Sequence, residues 1–367
     1  MLKIKKQISR LYLSSVLGNL SLTGAWVAIL AARGYSLTEI GLAETIFHIT
    51  SILFEIPSGV LADLFGRKKM LLVSSVLRMI GNIIMIFSCN LFMVCTSLSF
   101  YAMSYNFSSG SGDALAYDSL KLVSKESYYE KYASNQLVIY RLCSGISTLC
   151  AGFALFIGHR AAYITDLLMS AIQIWVLMSL WEVKVRENSG QLKNVNNSIR
   201  KEFVQCFVSS VAFIKNERNT MFLMFCNSLV GAVDILLLFF LQAKLPAAGI
   251  PNWVLGFALF FMEMGGILGA KVILKCKKLF YRNVFIITAA FVLLGVAMEH
   301  SNAYFIMALG GFVAAFGDDA LQVRTNAILQ DMFPSEQRAT LISMESFTFS
   351  VIMIILSPLA GILFSYW

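Results

Sequence analysis

Three residues in one apolar run, Glu44, His48 and Glu55, are separated by four and seven positions. In a helix these spacings are close to one and two turns, setting a carboxylate, an imidazole and a second carboxylate on one face over roughly 16 Å. Side chains of these types can hold and pass protons, since imidazole titrates near neutral pH. The same residues also have a packing explanation: Glu44 near a membrane interface, His48 a satisfied core histidine, and Glu55 capping a helix contact beside Pro57. Asp113, Asp234 and Asp318 are further proton-coupling candidates inside apolar segments.

Other chemistries lack residues to support them. The seven cysteines are scattered, with no CxxC pair and no histidine at ligand spacing, so neither a disulfide framework nor a metal site is expected. There is no nucleophile motif and no glycine loop leading into GK[ST], so the chain is not expected to be an enzyme or to carry a cofactor.

The elements that must position the acids are read from hydropathy. Hydrophobic residues make up 58% and charged residues 14% of the chain, with a mean hydropathy of +0.73. Soluble domains are about 45 to 50% apolar and about 25% charged. Apolar segments of about 20 residues, enough to cross about 30 Å of hydrocarbon, recur throughout. The pattern predicts an all-α polytopic membrane protein with spans near 11–32, 38–62, 69–89, 91–119, 133–157, 161–182, 219–243, 253–275, 283–299, 302–330 and 340–366. The basic start of the chain is expected to lead into an uncleaved first helix.

One long polar stretch follows the sixth span. It implies a six-helix bundle over 1–182, a linker over 183–200, and a second bundle over 201–367 with five spans. Within the second bundle, Phe203, Val204, Phe207, Val208, Val211 and Ile214 share one face of an expected membrane-surface helix. The net charge of +8 does not call for nucleic acid, because the basic residues cluster in alternate loops. By the positive-inside rule the N-terminus is cytoplasmic and Trp367 is on the opposite side. A worn internal repeat supports two bundles: "GDALAYDSL" at 112–120 is echoed by "GDDALQ" at 317–322.

Between the second and third spans the chain reads "GVLADLFGRKK", and Gly59, Leu61, Ala62, Asp63, Gly66, Arg67, Lys68 and Lys69 fit the pattern G-x-L-A-D-x-x-G-R-K-R/K. Motif, loop position and central linker together resemble the major facilitator superfamily of secondary transporters. The wider stretches "EIPSGVLADLFGRKK" and "ALAYDSL" are most similar to a bacterial, efflux-like branch. The resemblance implies two pseudo-symmetric bundles and a cytoplasmic latch. In that latch Asp63 and Arg67 would meet Asp118 at the end of the fourth span and the segment beginning at Ser335. On physical grounds Gly59 would permit close helix approach, Gly66 a tight turn, and Asp63 would face a helix N-terminus or Arg67.

The family has twelve spans, and eleven are read here. The expectation is that the twelfth is lacking and that self-association could cover the exposed surface. Trp26, Tyr101, Tyr105, Asn106, Phe239 and Glu263 are candidates for an amphipathic substrate pocket, and Arg78, Arg141 and Arg324 are expected to pair with membrane-depth acids. Two features depart from family antiporters: the fifth span keeps Gly145 and Gly152 without proline, and the fourth has no arginine.

The leading expectation is proton-coupled efflux of amphipathic small molecules across a bacterial cytoplasmic membrane. The alternatives are a metabolite uptake symporter or facilitator, and a receptor or scaffold that does not transport. The expected partners are a small-molecule substrate, protons and lipid.

Overall fold

The computed structural model describes residues 2–183, 204, 218–276, 278–332 and 338–365. The linker from residue 184 on, nearly all of the expected surface helix, Ser335 and Trp367 lie outside these residues, as do the side chains of Asp63 and Arg141.

Fourteen α-helices occur among the described residues. They are α1 (Leu2–Asn19), α2 (Trp26–Ala32), α3 (Leu37–Phe65), α4 (Arg67–Phe87), α5 (Leu91–Ser108), α6 (Ser111–Lys121) and α7 (Tyr129–Leu149). Next come α8 (Ala151–Ile157), α9 (His159–Met178), α10 (Arg218–Ala247), α11 (Asn252–Ile273), α12 (Tyr281–Glu299), α13 (Tyr304–Met332) and α14 (Arg338–Ser365). Eight of the helices are long and apolar enough to cross a membrane, or nine if α7 and α8 form one bent span. Large apolar side chains on these helices, such as Val76, Trp175, Leu293 and Ile355, stand exposed, as expected of a lipid-facing surface.

Three of the segments expected to be continuous are broken. The first stops at Asn19 and resumes at Trp26, across "LSLTGA". There the Ser21 hydroxyl takes the Thr23 amide at 3.1 Å, the local side-chain bonding that competes with a helix. The fourth breaks at Ser109 and Gly110, where Gly110 has φ +69°, a conformation glycine adopts without penalty. The fifth breaks at Cys150, between α7 and α8.

Packing divides the chain into two compact units, and two of the boundaries fall inside helices, at 48/49 in α3 and at 147/148 in α7. Unit 1 comprises 1–24, 49–147 and 159–209; unit 2 comprises 25–48, 148–158 and 210–367. In unit 1, α4 packs on α5 and α9, and Leu11, Leu115, Tyr132 and Leu177 form a buried cluster. In unit 2, α13 packs along α11 and α12. Gly265 and Gly269 of α11 lie against the backbone carbonyls of Phe312 and Phe316, an approach only a missing side chain allows. With lipid as apolar as the helix surfaces, such small-residue contact is a principal source of helix association.

Unit 2 also holds a seam between its N-terminal segments and its later helices. Gly41 of α3 abuts the Ser357 carbonyl of α14, and Gly361 of α14 abuts the Leu37 carbonyl. Likewise Gly152 of α8 abuts the Asn252 carbonyl, and Gly256 of α11 abuts the Leu149 carbonyl. α3 and α14 thus each supply one glycine and one carbonyl, whereas α11 supplies both to a glycine of α8 and the last carbonyl of α7.

Candidate functional site

Two of the three residues on α3 are brought together. Glu44 and His48 are buried, with Glu44 Oε1 3.2 Å from His48 Nε2. The other ring nitrogen, Nδ1, lies 3.2 Å from the Ser350 hydroxyl of α14, and the Phe349 ring stands edge-on to the imidazole at 5.7 Å. This cluster lies within unit 2, whereas Glu55 is half-buried in unit 1.

Unit 1 contains a cavity of about 400 Å³. Its lining is polar and includes Ser14, Asn19, Arg78, Tyr101, Gln136 and Gln173. Tyr101 donates its hydroxyl hydrogen to Asn82 Oδ1 at 2.5 Å, and Tyr105, another pocket candidate, also lines the space. Asn106 does not line it: its Nδ2 donates to the Ser51 carbonyl and its Oδ1 accepts from the Ser51 hydroxyl at 3.0 Å, tying α5 to α3.

Two charges hold the adjoining break in the first span. Asp166 of α9 accepts from the Leu22 amide at 3.0 Å and from the hydroxyls of Ser21 and Thr23. Arg78 donates to the Gly18 carbonyl near the end of α1. An acid therefore satisfies donors within the break, and a cation meets a carbonyl at the end of α1, where it complements the helix dipole. The Ser21 amide also donates to the Ser147 hydroxyl at 3.0 Å, joining this break to the end of α7.

In unit 2, Asp234 of α10 neighbours Asp318 and Asp319 of α13 closely enough for their charges to interact. Gly231 and Gly266 leave room for Asp318 and Asp319, respectively. Glu263 accepts from the Thr148 hydroxyl at 2.8 Å, and Glu345 accepts from Asn227 at 3.1 Å. Trp26 and Phe239 meet edge-to-face at 5.4 Å. Asp113 is exposed in the first turn of α6. Among the described residues no group of three or more His, Cys, Asp or Glu could hold a metal ion.

The sequence profile of the Major Facilitator Superfamily matches residues 11–298. The chain belongs to this superfamily. Its fold is shared with the nucleoside transporter NupG, at TM-score 0.74 and 14% identity over 100% of this chain and 92% of that one. A mutant of NupG aligns at TM-score 0.75 and 14% identity, over 98% and 96%. The D-xylose-proton symporter aligns at TM-score 0.69 and 10% identity, over 97% and 89%. A comparison with curated protein sequences gives no match.

The superfamily loop between α3 and α4 is built around a residue the motif does not contain. The Glu182 carboxylate accepts from the amides of Lys68 and Lys69, each at 3.3 Å, and so occupies the N-terminus of α4. Lys68 Nζ in turn donates to the carbonyls of Met178 at 2.9 Å and Leu180 at 2.7 Å, at the end of α9. Gly66 has φ +103°, and a Cβ there would lie 2.6 Å from the Glu182 carboxyl group. Both the turn and the acid demand glycine. Close helix approach at Gly59 is not found, since a Cβ there would meet no described atom within 4 Å. Asp118 is half-buried on α6.

Two of the arginines expected to pair with acids make carbonyl contacts. Arg78 is held by Gly18, and Arg324 donates to the Leu279 carbonyl at 3.0 Å. Sequence reasoning also missed Asp166, Glu182 and the buried pair of Lys244 with Glu299 at 3.1 Å. An acid within an apolar helix was a usable signal for Asp166. Nothing in the sequence pairs Glu182 with the turn at Gly66.

Proposed function

We propose that the chain is a secondary transporter that takes up a small, hydroxylated polar solute by alternating access, coupled to protons. The observation that carries this reading is the cavity of unit 1, where hydroxyl and amide groups dominate the lining. Such groups suit a solute rich in hydroxyls. The titles of the structural neighbours, a nucleoside transporter and a proton symporter for xylose, lend support. For proton coupling the best-placed groups are the Asp234, Asp318 and Asp319 cluster and the Glu44–His48 pair. We place the chain in a bacterial cytoplasmic membrane with its N-terminus inside, and the Gly59–Lys69 loop, with Asp63 and Asp118, in a latch on that side.

The test uses purified protein in proteoliposomes with an imposed proton gradient. Labelled uridine and D-xylose should accumulate, and a protonophore should abolish accumulation. The likeness of "EIPSGVLADLFGRKK" to efflux-like sequences favours the second reading, export of amphipathic compounds. Proton-driven movement of ethidium without movement of any hydroxylated solute would establish that reading and remove the first.

A further inference from the structure

We propose that the cavity of unit 1 binds a small hydroxylated monocarboxylate, with Arg78 receiving the carboxylate and Gln136 a hydroxyl. The inference rests on the polar-solute reading and narrows it to an anion.

Among the described residues of the lining, Arg78 is the one charged side chain and there is no carboxylate. A guanidinium carries five N–H donors, and one of them is used by the Gly18 carbonyl. Among the described residues Arg78 has no ion-pair partner. The carbonyl end of α1 supplies roughly half a negative charge. That leaves about half a positive charge at membrane depth, which a bound anion would offset. Among the described residues Asp166 makes no ion pair with Arg78; its oxygens accept from Ser21, Leu22 and Thr23.

Gln136 supplies the opposite need. Its Nε2 donates to the Tyr132 hydroxyl, while its Oε1 is buried with no hydrogen-bond partner among the described residues. A buried acceptor left in this state costs about 1 to 3 kcal/mol, so it favours a ligand that brings an O–H. Much of the rest of the lining is already bonded: Ser74 donates to the Ser104 carbonyl at 2.7 Å, and Gln173 donates to the Ser14 carbonyl at 3.0 Å. Among the buried side-chain atoms of the described lining residues, Gln136 Oε1 is the acceptor left over, and with the remaining donors of Arg78 it matches a hydroxyl and a carboxylate on one molecule. An ammonium group would meet Arg78 and no acid. The volume of about 400 Å³ falls within the size of small-molecule sites.

The experiment is calorimetric titration of the full chain in lipid nanodiscs with D-gluconate, the uncharged glucitol and the cationic glucosamine. Gluconate should bind at least about tenfold more tightly than glucitol, the value of one charge-assisted hydrogen bond, and glucosamine should not bind. Arg78→Gln should reduce gluconate to the level of glucitol, while Arg78→Lys should keep the preference for the acid. Gln136→Leu should weaken gluconate and glucitol by a similar factor. Arg78 also holds α1, so if Arg78→Gln fails to fold, the wild-type series and Gln136→Leu decide. Equal binding of gluconate and glucitol, no binding of either, or an unchanged preference in folded Arg78→Gln would overturn the proposal. Proteoliposomes that accumulate neutral solutes while gluconate fails to bind would leave the uptake reading standing; ethidium export alone would remove that reading too.

Discussion

Replacing Gly41 with alanine should open the seam of unit 2. A Cβ at this position would collide with the Ser357 carbonyl oxygen, and would lie 3.0 Å from the Ser357 carbonyl carbon and 3.3 Å from the Pro358 Cα. All three are backbone atoms, so no rotamer change relieves the clash and α3 and α14 must move apart. Overpacking of this kind costs about 1 to 3 kcal/mol, and a rigid obstacle belongs in the upper part of that range. Alanine recovers about 0.8 to 1.0 kcal/mol of helix propensity. The clash wins, leaving a net loss of about 1 to 2 kcal/mol, which multiplies the open population of the seam by roughly 5 to 30. Hydrogen-exchange mass spectrometry of peptides covering 37–48 and 352–362 reads this directly as faster exchange in both. Gly59→Ala is the control: with no described atom within 4 Å of its Cβ, it should leave both peptides unchanged. Wild-type protection at both peptides in Gly41→Ala would refute the reasoning, since the backbone would then yield without cost.

Three other outcomes are expected. Lys244→Met should destabilise unit 2 by about 3 to 5 kcal/mol by stranding the fully buried Glu299, and the double variant Lys244→Met, Glu299→Leu should recover most of the loss; thermal unfolding in detergent compares them. Glu182→Ala should cost about 0.5 to 2 kcal/mol by exposing the first amides of α4, with faster exchange confined to peptides around residues 66–72. Asp166→Ala should leave the Leu22 amide and two hydroxyls without their acceptor, and lower thermal stability by about 1 to 3 kcal/mol per group left buried and unpaired, whereas Asp166→Asn should lose less because one oxygen remains.

The sequence by itself determined the membrane class, the helical fold and the superfamily, because hydrocarbon allows so few backbone solutions. Without water to bond amides and carbonyls, a long apolar run must be helical, and hydropathy alone exposes it. It also made the turn at Gly66 legible, since glycine and charge at fixed spacing are local properties. Only the tertiary structure decided what the polar residues do. The spacing of Glu44 and His48 placed them one turn apart, but Ser350, which completes their cluster, is 302 residues away from His48. Asp166 and Arg78 come from different helices to the two sides of one broken span, and Glu182 arrives from the end of α9 to sit on the first turn of α4. Each is a contact between segments whose proximity depends on how the helices pack. Small residues allow that packing at Gly41, Gly152, Gly265 and Gly269, and the fit is set by backbone carbonyls on the facing helix. A carbonyl has the same chemistry at every residue, so no sequence pattern can say which one a glycine or an arginine will meet.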